Sequence, residues 1–507
     1  NFFKNYSISC CAVLLKFIRF PSENLILEKS SCGRVWVTVH SPEIRLGQSM
    51  TLLDAVELNW DFNGCFNEPR QVSLRDYNRV NLESSPSYRY VNSIFESTSS
   101  KLTNVDHSRH KQNSLVQFQC LRVLFINCSP QISSSFVFDL CPLKNALSIF
   151  PVTSVQGHVV TNMSLGLGTL PAGWEAGVGA KGPHCLWPWV ASGNANQIQS
   201  FNCLKIQPTW MEDSGSKINN LRIGDLAIAG THNAGAWKFN TEVSSVSRDS
   251  FVLCQDRSIW GQLVHGIRYF DFRIAYYDFY QNVEDRYWLN HNLIRVRPLV
   301  PLLREIRAFL DATNEVVFLD AHHFPVGFYQ QQGAPIRAVH EGLLQIVQRE
   351  LGPHLAPANT FGTGAGTKGP TLQTLINAKK RLLFSYADNT IVSQNSWLWP
   401  ILPHLWANTN SPAELFQYLD RAIASSPHPG ARSPLFSAMA QTTPTVLDIL
   451  FLRGSLRENA DDVNRNVTMR LATRWRTRAN IVSTDFFLGS DVVDLSIIIS
   501  EERASRL

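Results

Sequence analysis

The strongest constraint on the fold is a repeated alternation of strand-like and helix-like segments from residue 220 onward. Short apolar segments such as Leu226–Ala229, Ile267–Ile274 and Glu315–Asp320 have the length and composition of buried strands. Between them lie longer segments such as Leu299–Leu310, whose apolar residues recur at the three- and four-residue steps of an amphipathic helix. Units of this kind, repeated over roughly 285 residues, predict a single α/β barrel.

The same pattern predicts helices over 336–351, 412–425 and 445–475, and strands over 435–441 and 480–484. An open doubly wound sheet is the alternative to a barrel. Such a sheet carries a Gly-rich phosphate-binding turn after its first strand, and no GxGxxG follows the first strand here. The barrel is therefore favoured.

Residues 33–212 differ in style and predict a smaller β-sandwich-like domain. Arg34–His40 alternates polar and β-forming residues with a period near two, and Glu57–Asp61 repeats this style. Residues 96–155 interrupt the domain, because neither a strand nor a helix period is sustained there. This segment is either a long insertion loop or sequence from a wrongly predicted exon; structureless loops of this length are rare in compact domains, which favours the second.

Cysteines are concentrated in the front part of the chain. Nine of the ten precede residue 204, and only Cys254 lies in the barrel half. This distribution predicts disulfides in the front part and hence an oxidising compartment. No CxxC pair or Cys/His ligand spacing occurs, so the sequence predicts no zinc site. Segment 1–32 is a candidate remnant of a signal peptide, and the sequons at Asn5, Asn127, Asn162 and Asn466 are compatible with secretion.

The net charge of +5 and the pI near 8.6 are mildly basic. They suit an anionic substrate or a membrane surface. The sequence contains no run of Lys and Arg residues that would indicate a nucleic-acid-binding arm. We expect a secreted or luminal monomer that binds no nucleic acid.

Polar side chains gather where the predicted strands end. Asp271 and Arg273 lie two residues apart, so they share one face of a strand. In a barrel the carboxyl ends of all strands meet at one mouth, which is where active sites form. The full set at these strand ends comprises His232, Asn233, Asp271, Arg273, His291, Asp320, His322 and Asp485.

Two imidazoles, a guanidinium and carboxylates suit general acid–base attack on a phosphodiester. One imidazole takes a proton from the nucleophile and the other gives one to the leaving group. The guanidinium neutralises the phosphate oxygens. The carboxylates hold the imidazole tautomers and raise their basicity.

At these residues the chain resembles the phosphatidylinositol-specific phospholipase C X-domain family. The order and spacing of several segments match, over about 220–490, and the front part 33–210 is similar to the β-domain that precedes the X domain in some secreted-type invertebrate members. The matching segments are Ala229–Gly235, Gln255 with the helix to Gly266, Ile267–Arg273, Asn290–Asn292 and Glu315–Phe324.

The resemblance implies a distorted TIM-type barrel that cleaves phosphoinositides into diacylglycerol and an inositol phosphate through a cyclic phosphate. It implies that His232 is the general base for the inositol 2-hydroxyl, with Asp485 supporting it. His291 becomes the general acid for the diacylglycerol oxygen. Arg273 steadies the phosphate, and Asp271 neighbours it on the same strand.

The resemblance also bears on metals and on the headgroup. Calcium-dependent members place a carboxylate ligand where this chain has Arg273, and a fixed cation there would repel calcium, so no calcium and no cofactor are expected. Asn233 replaces an aspartate that helps the general acid in bacterial members. The partner that the resemblance implies is a phospholipid headgroup at a membrane surface, and His322 and Arg381 are the candidates for contacting it.

Two other functions remain open from the sequence. One is a catalytically inactive phosphoinositide- or membrane-binding protein, for which the Asn233 replacement leaves room. The other is a magnesium-dependent glycerophosphodiesterase or sphingomyelinase D on a similar barrel. That chemistry needs a carboxylate metal cluster, with which Arg273 is poorly compatible.

Overall fold

The structure is a computed structural model, and it describes residues 34–40, 54–61, 71–75, 122–125, 136–139, 148–151, 156–165, 170–175, 177–194, 197–237, 250–362, 369–426, 435–451 and 453–506. The predicted signal remnant 1–32 lies outside the described residues, as does most of segment 96–155.

The chain divides into two compact units. One contains residues 1–37, 58–159 and 187–204, and the other contains 38–57, 160–186 and 205–507. The division is not a single cut near residue 212, because two segments of the front part group with the second unit.

The front part is rich in β-structure. Its sheets have the strand orders β1-β2-β7, β6-β3-β8-β9 and β4-β5, and three short strands lie within segment 96–155. Cys185 and Cys203 are both disulfide-bonded, which confirms that the front part carries disulfides. The β-sandwich itself stays a prediction. The strands are β1 Arg34–His40, β2 Asp54–Asp61, β3 Gln71–Arg75, β4 Arg122–Phe125, β5 Phe136–Asp139, β6 Ser148–Pro151, β7 Gln156–Leu165, β8 His184–Asn194 and β9 Gln197–Ile206.

The second half is a mixed α/β structure built on one curved sheet. Seven of its strands are parallel, in the order β16-β17-β18-β10-β11-β14-β15, and the hairpin β12-β13 pairs antiparallel with the end of β11. The strands are β10 Ile228–Thr231, β11 Tyr269–Tyr276, β12 Tyr287–His291, β13 Ile294–Pro298, β14 Val317–His323, β15 Leu382–Tyr386, β16 His404–Leu405, β17 Ser437–Ala440 and β18 Ile481–Thr484.

The sheet is curved like a barrel, but its backbone does not close. Within the described residues no strand pairing joins β15 to β16. Side chains nevertheless meet across this seam, because His404 of β16 hydrogen-bonds Asp320 of β14 at 3.0 Å. The described residues therefore form a curved parallel sheet that is open at one seam, and the closed TIM-type barrel stays a prediction.

Helices connect the parallel strands, as the alternating pattern predicts. In the described part of the chain, none of them is both long and apolar enough to cross a bilayer. The helices are α1 Trp210–Asp213, α2 Gly215–Ile218, α3 Ile259–His265, α4 Leu299–Ala312, α5 Arg337–Leu351, α6 Ala358–Phe361, α7 Leu372–Asn377, α8 Asn389–Gln394, α9 Pro412–Ser425, α10 Val446–Leu450, α11 Leu456–Ala472 and α12 Val492–Ala504.

Strand register brings the functional positions to one level. Thr231 pairs with Thr484, so the residues that follow β10 and β18 are neighbours. Asp271 of β11 pairs with Asp320 of β14. The strands are closely packed beneath this level. A Cβ atom added to Gly230 would lie only 2.7 Å from the Ser483 hydroxyl, so a larger residue would not fit there without a shift.

Candidate active site

His232 is held by its neighbours in the form of a general base. Its Nδ1 lies 2.7 Å from Oδ1 of Asp485, and one guanidinium nitrogen of Arg273 lies 2.5 Å from its Nε2. A guanidinium can only donate hydrogen bonds, so Nε2 must be the acceptor and Nδ1 must carry the proton that Asp485 accepts. The lone pair available for taking a proton is therefore on Nε2, on the Arg273 side.

Hydrogen bonds fix the position of the backbone around His232 and Asp485. The His232 amide donates to the Thr484 carbonyl at 3.1 Å. The side-chain amide of Gln255 donates to the carbonyls of both His232 and Thr484, at 2.8 and 2.9 Å. Because Gln255 is itself buried, it fixes the two strand ends relative to each other and keeps the dyad in register.

Asp271 lies beneath Arg273 as a buried carboxylate. Its Oδ2 accepts the backbone amide of Asn233 at 3.0 Å and lies 3.5 Å from the Arg273 guanidinium. Burial raises the pKa of Asp271, but Arg273 and the nearby imidazoles outweigh burial and hold it at about 2. The carboxylate is therefore ionised and anchors Arg273 toward His232.

His291 ends β12 and is the second imidazole of the site. Burial and the positive charge of Arg273 lower the pKa of His291 to about 3, and protonation of His232 acts in the same direction, although a hydrogen bond to the Phe251 backbone opposes them. His291 is therefore neutral in the ligand-free protein. A histidine that acts as a general acid near neutral pH must be in its imidazolium form. His291 can therefore take this role only when a bound anion offsets the charge of Arg273.

An anion bound at Arg273 should raise the pKa of His291 by about 1–3 pH units, because an opposite charge nearby favours the imidazolium. The measurement is NMR of the histidine Cε1 resonances across pH, with and without myo-inositol 1-phosphate. The protonated fraction falls as pH rises, so the turnover rate should also fall as pH rises through the shifted pKa. An unchanged His291 titration would show that the anion is not held beside it.

Asn233 is not placed to help the general acid. Its backbone is in the left-handed region, with φ +43°, and its side-chain amide points to the Cys254 sulfur at 3.8 Å. No hydrogen bond joins it to His291 in the described residues. Its contribution is instead its backbone amide, which donates to Asp271. The catalytic role expected at position 233 stays a prediction.

Arg381 lies at the opposite end of the sheet from the site. It precedes β15, and its guanidinium donates to the carbonyls of Leu310, at 2.8 Å, and Thr313 at the end of α4. The prediction that Arg381 contacts the headgroup is wrong, because this side chain caps a helix C-terminus.

His322 does lie beside the site, together with residues that the sequence did not single out. Its Nδ1 is 3.5 Å from Asp320 Oδ2, and its ring stacks on that of His404 with centroids 3.3 Å apart. Tyr269 and Ser385 both donate to Asp320, each at 2.6 Å. His404 was missed because it is a single polar residue within a short segment that shows no period. Tyr269 lies in the predicted strand Ile267–Ile274, where an aromatic residue indicates a core position.

Two groups of three side chains in the described residues have ligand atoms within 4.8 Å of one another, so each could hold a metal ion. The first is His232, Cys254 and Asp485, but burial raises the pKa of the Cys254 thiol, which disfavours the thiolate that binds metals. The second is Asp320, His322 and His404.

No family model matches the chain. PI-PLC X domain-containing protein 3 of Mus musculus is 27% identical over 328 residues, which cover 58% of this chain and 95% of that protein. The human protein of the same name is 26% identical over 339 residues, covering 61% and 98%. This chain is similar in sequence to the PI-PLC X domain-containing proteins. Human PI-PLC X domain-containing protein 1 is more distant, at 23% identity over 257 residues.

Bacterial enzymes are found among the solved structures. The phosphatidylinositol-specific phospholipase C from Listeria monocytogenes is 17% identical, with a TM-score of 0.43, and covers 58% of this chain and 98% of the bacterial one. The Staphylococcus aureus enzyme is 12% identical, with a TM-score of 0.42, and covers 58% and 97%. The sequence identity to the X-domain relatives is higher than that to these bacterial enzymes.

Proposed function

We propose that this chain cleaves the phosphodiester of phosphatidylinositol-type phospholipids by general acid–base catalysis. One observation carries the proposal. The lone pair of His232 Nε2 faces the Arg273 guanidinium, while Asp485 holds the opposite side of the ring. A phosphate bound to Arg273 would draw the guanidinium away from that lone pair and leave it free for a substrate hydroxyl.

The proposed reaction proceeds through a cyclic phosphate. His232 Nε2 takes the proton of the inositol 2-hydroxyl, whose oxygen forms the new bond to phosphorus. The bond from phosphorus to the diacylglycerol oxygen breaks, and His291 gives that oxygen its proton. The products are diacylglycerol and an inositol 1,2-cyclic phosphate, and the protons and electron pairs balance without a further reactant.

Arg273 and Asp271 supply the electrostatics of the proposed step. The guanidinium neutralises the phosphate oxygens as charge builds in the transition state. Asp271 is ionised and fully buried beneath it. The same guanidinium disfavours a calcium ion beside the phosphate, so we propose a calcium-independent reaction.

Product analysis on phosphatidylinositol vesicles, with and without EDTA, tests this function. We expect cyclic inositol phosphate to be released at the same rate in both samples. Vesicle binding without turnover would instead support an inactive lipid-binding protein. Activity that EDTA abolishes would support metal-dependent phosphodiester hydrolysis.

The loops that follow the strands support a lipid surface as the partner. α10 follows β17 and exposes large apolar side chains. A capping box of Thr445 and Asp448 fixes the first turn of this helix. Leu293, in the turn beside His291, is 75% exposed. Contiguous exposed apolar residues mark interaction surfaces. The exposed residues in and next to α10 are Val446, Leu447, Ile449, Leu450 and Phe451.

Replacing Leu447 and Leu450 together with serine should weaken binding to phosphatidylinositol vesicles at least about tenfold, because each leucine loses up to about 1.5–3 kcal/mol of apolar burial. Cleavage of a monomeric short-chain substrate should be unchanged. Vesicle sedimentation and a soluble-substrate assay measure the two effects. Val178→Ser, an exposed position outside these loops, is the matched control, and equal losses in both variants would contradict a role for α10.

We also propose a secreted or luminal location. The disulfide bonds of Cys185 and Cys203 support an oxidising compartment. A reporter of signal-dependent secretion on the full-length gene product tests this, and retention in the cytosol would contradict it.

A further inference from the structure

Asp320, His322 and His404 form a compact cluster beside the proposed catalytic centre. His404 Nε2 lies 3.0 Å from Asp320 Oδ2, and His322 Nδ1 lies 3.5 Å from the same oxygen. The two rings are nearly parallel, with an interplanar angle of 7°. Both imidazoles thus present a nitrogen to one carboxylate oxygen.

These separations match the edges of a small coordination polyhedron. Zinc binds imidazole nitrogen and carboxylate oxygen at about 2.0–2.2 Å, so neighbouring ligand atoms in a tetrahedral site are about 3.3 Å apart. The two measured edges, 3.0 and 3.5 Å, bracket that value. An ion bound to both rings would require them to tilt toward each other and open the stack.

The carboxylate is oriented for this role by its other contacts. Ser385 donates to Oδ1 and Tyr269 to Oδ2, each at 2.6 Å. Hydrogen bonds of this kind typically fix the ligands of metal sites. In contrast, the buried Nδ1 of His322 has no hydrogen-bond partner. This nitrogen therefore has only a long contact of 3.5 Å to the carboxylate.

The cluster is accessible from one side. The Asp320 side chain is fully buried and that of His404 is 9% exposed, whereas that of His322 is 23% exposed. An ion could enter past His322 and keep an open coordination position there.

We propose that Asp320, His322 and His404 bind a divalent transition metal ion of the zinc class. Two imidazoles and one carboxylate are ligands that suit such ions. Binding would replace the contacts of both ring nitrogens to Asp320 and release any proton held on them. The proposal concerns a site distinct from the His232–Arg273 pair and stands whether or not the chain cleaves phospholipids.

Strand topology explains why the sequence does not reveal this site. His322 and Asp320 lie on β14, whereas His404 comes from β16, across the open seam of the sheet. The spacing from Asp320 to His404 is 84 residues, which no short ligand motif includes. The expectation of no zinc site rested only on such motifs.

Titration of the full chain with Co²⁺, followed by visible absorption, tests the proposal, and calorimetry with Zn²⁺ gives the stoichiometry. We expect one ion per chain at these residues and a four- or five-coordinate Co²⁺ spectrum. His322→Asn and His404→Asn should each weaken binding at least about tenfold. His323→Asn, which alters the neighbouring exposed histidine, should leave binding unchanged.

His322→Asn removes a 3.5 Å contact to Asp320 and the ring stack on His404 at a partly exposed position, so its fold should survive, and circular dichroism checks this. Metal binding that is unchanged in both His322→Asn and His404→Asn would overturn the proposal, as would no binding at all. Loss of binding in His232→Asn alone would place the ion at the His232–Cys254–Asp485 group instead and would also overturn it.

Discussion

His232→Asn should lower the release of cyclic inositol phosphate from phosphatidylinositol by about 10²–10⁴-fold, the usual contribution of a positioned general base. The structure gives the reason. The buried imidazole is fixed between Asp485 and Arg273 with its lone pair on Nε2, and asparagine supplies no basic nitrogen there. The loss should fall on kcat more than on KM, because Arg273 still binds the phosphate.

His291→Asn should cause a loss of similar size, since it removes the proton donor to the leaving group. His323→Asn is the matched control, because His323 is an exposed histidine of β14 outside the proposed machinery. Rates are measured under initial-velocity conditions with EDTA present. An unchanged rate in either the His232 or the His291 variant would refute the role assigned to that residue.

Glu315→Gln should lower the free energy of unfolding by about 3–5 kcal/mol, because it leaves a buried guanidinium without its counter-ion. Arg268 and Glu315 are both fully buried, and Glu315 Oε2 accepts from Nε and Nη2 of Arg268 at 2.9 and 2.7 Å. The same carboxylate accepts the backbone amides of Met211 and Glu212 at the start of α1. The Glu315→Gln substitution therefore weakens both the ion pair with Arg268 and the hydrogen bonds to the first backbone amides of α1.

Chemical denaturation at neutral pH measures this effect. The matched control is Glu341→Gln on the exposed face of α5, whose pair with Arg337 spans 4.0 Å, and it should change stability by less than about 1 kcal/mol. Arg268 and Glu315 precede β11 and β14, at the end of the sheet opposite the site, so the folded Glu315 variant should keep its rate. Equal stability of the two variants would contradict the structural role.

The sequence predicts the core elements of the second half well, because their apolar periods are long. The apolar periods predict helices over 336–351 and 412–425, and the structure has them at Arg337–Leu351 and Pro412–Ser425. The helix expected over 445–475 is instead two helices, α10 and α11. Gly454 interrupts them with φ +74°, a backbone conformation that periodicity alone does not reveal.

The site was predictable where its residues share a strand or lie in a dense motif. His232, Asp271 and Arg273 meet as expected, and Asp485 joins them because β10 and β18 are neighbours. Arg381 was misplaced because it precedes its strand, and only residues that follow parallel strands reach the mouth. His404 was missed because a two-residue strand has no pattern to recognise.

The proposed cleavage can be followed by time-resolved ³¹P NMR of phosphatidylinositol vesicles incubated with the purified chain in EDTA. We expect a five-membered cyclic phosphodiester to accumulate first, with any monoester following later, and neither product to form with His232→Asn. Two results would contradict the proposed reaction. One is an acyclic inositol monophosphate as the first product, and the other is a lipid resonance that does not change although the chain binds the vesicles.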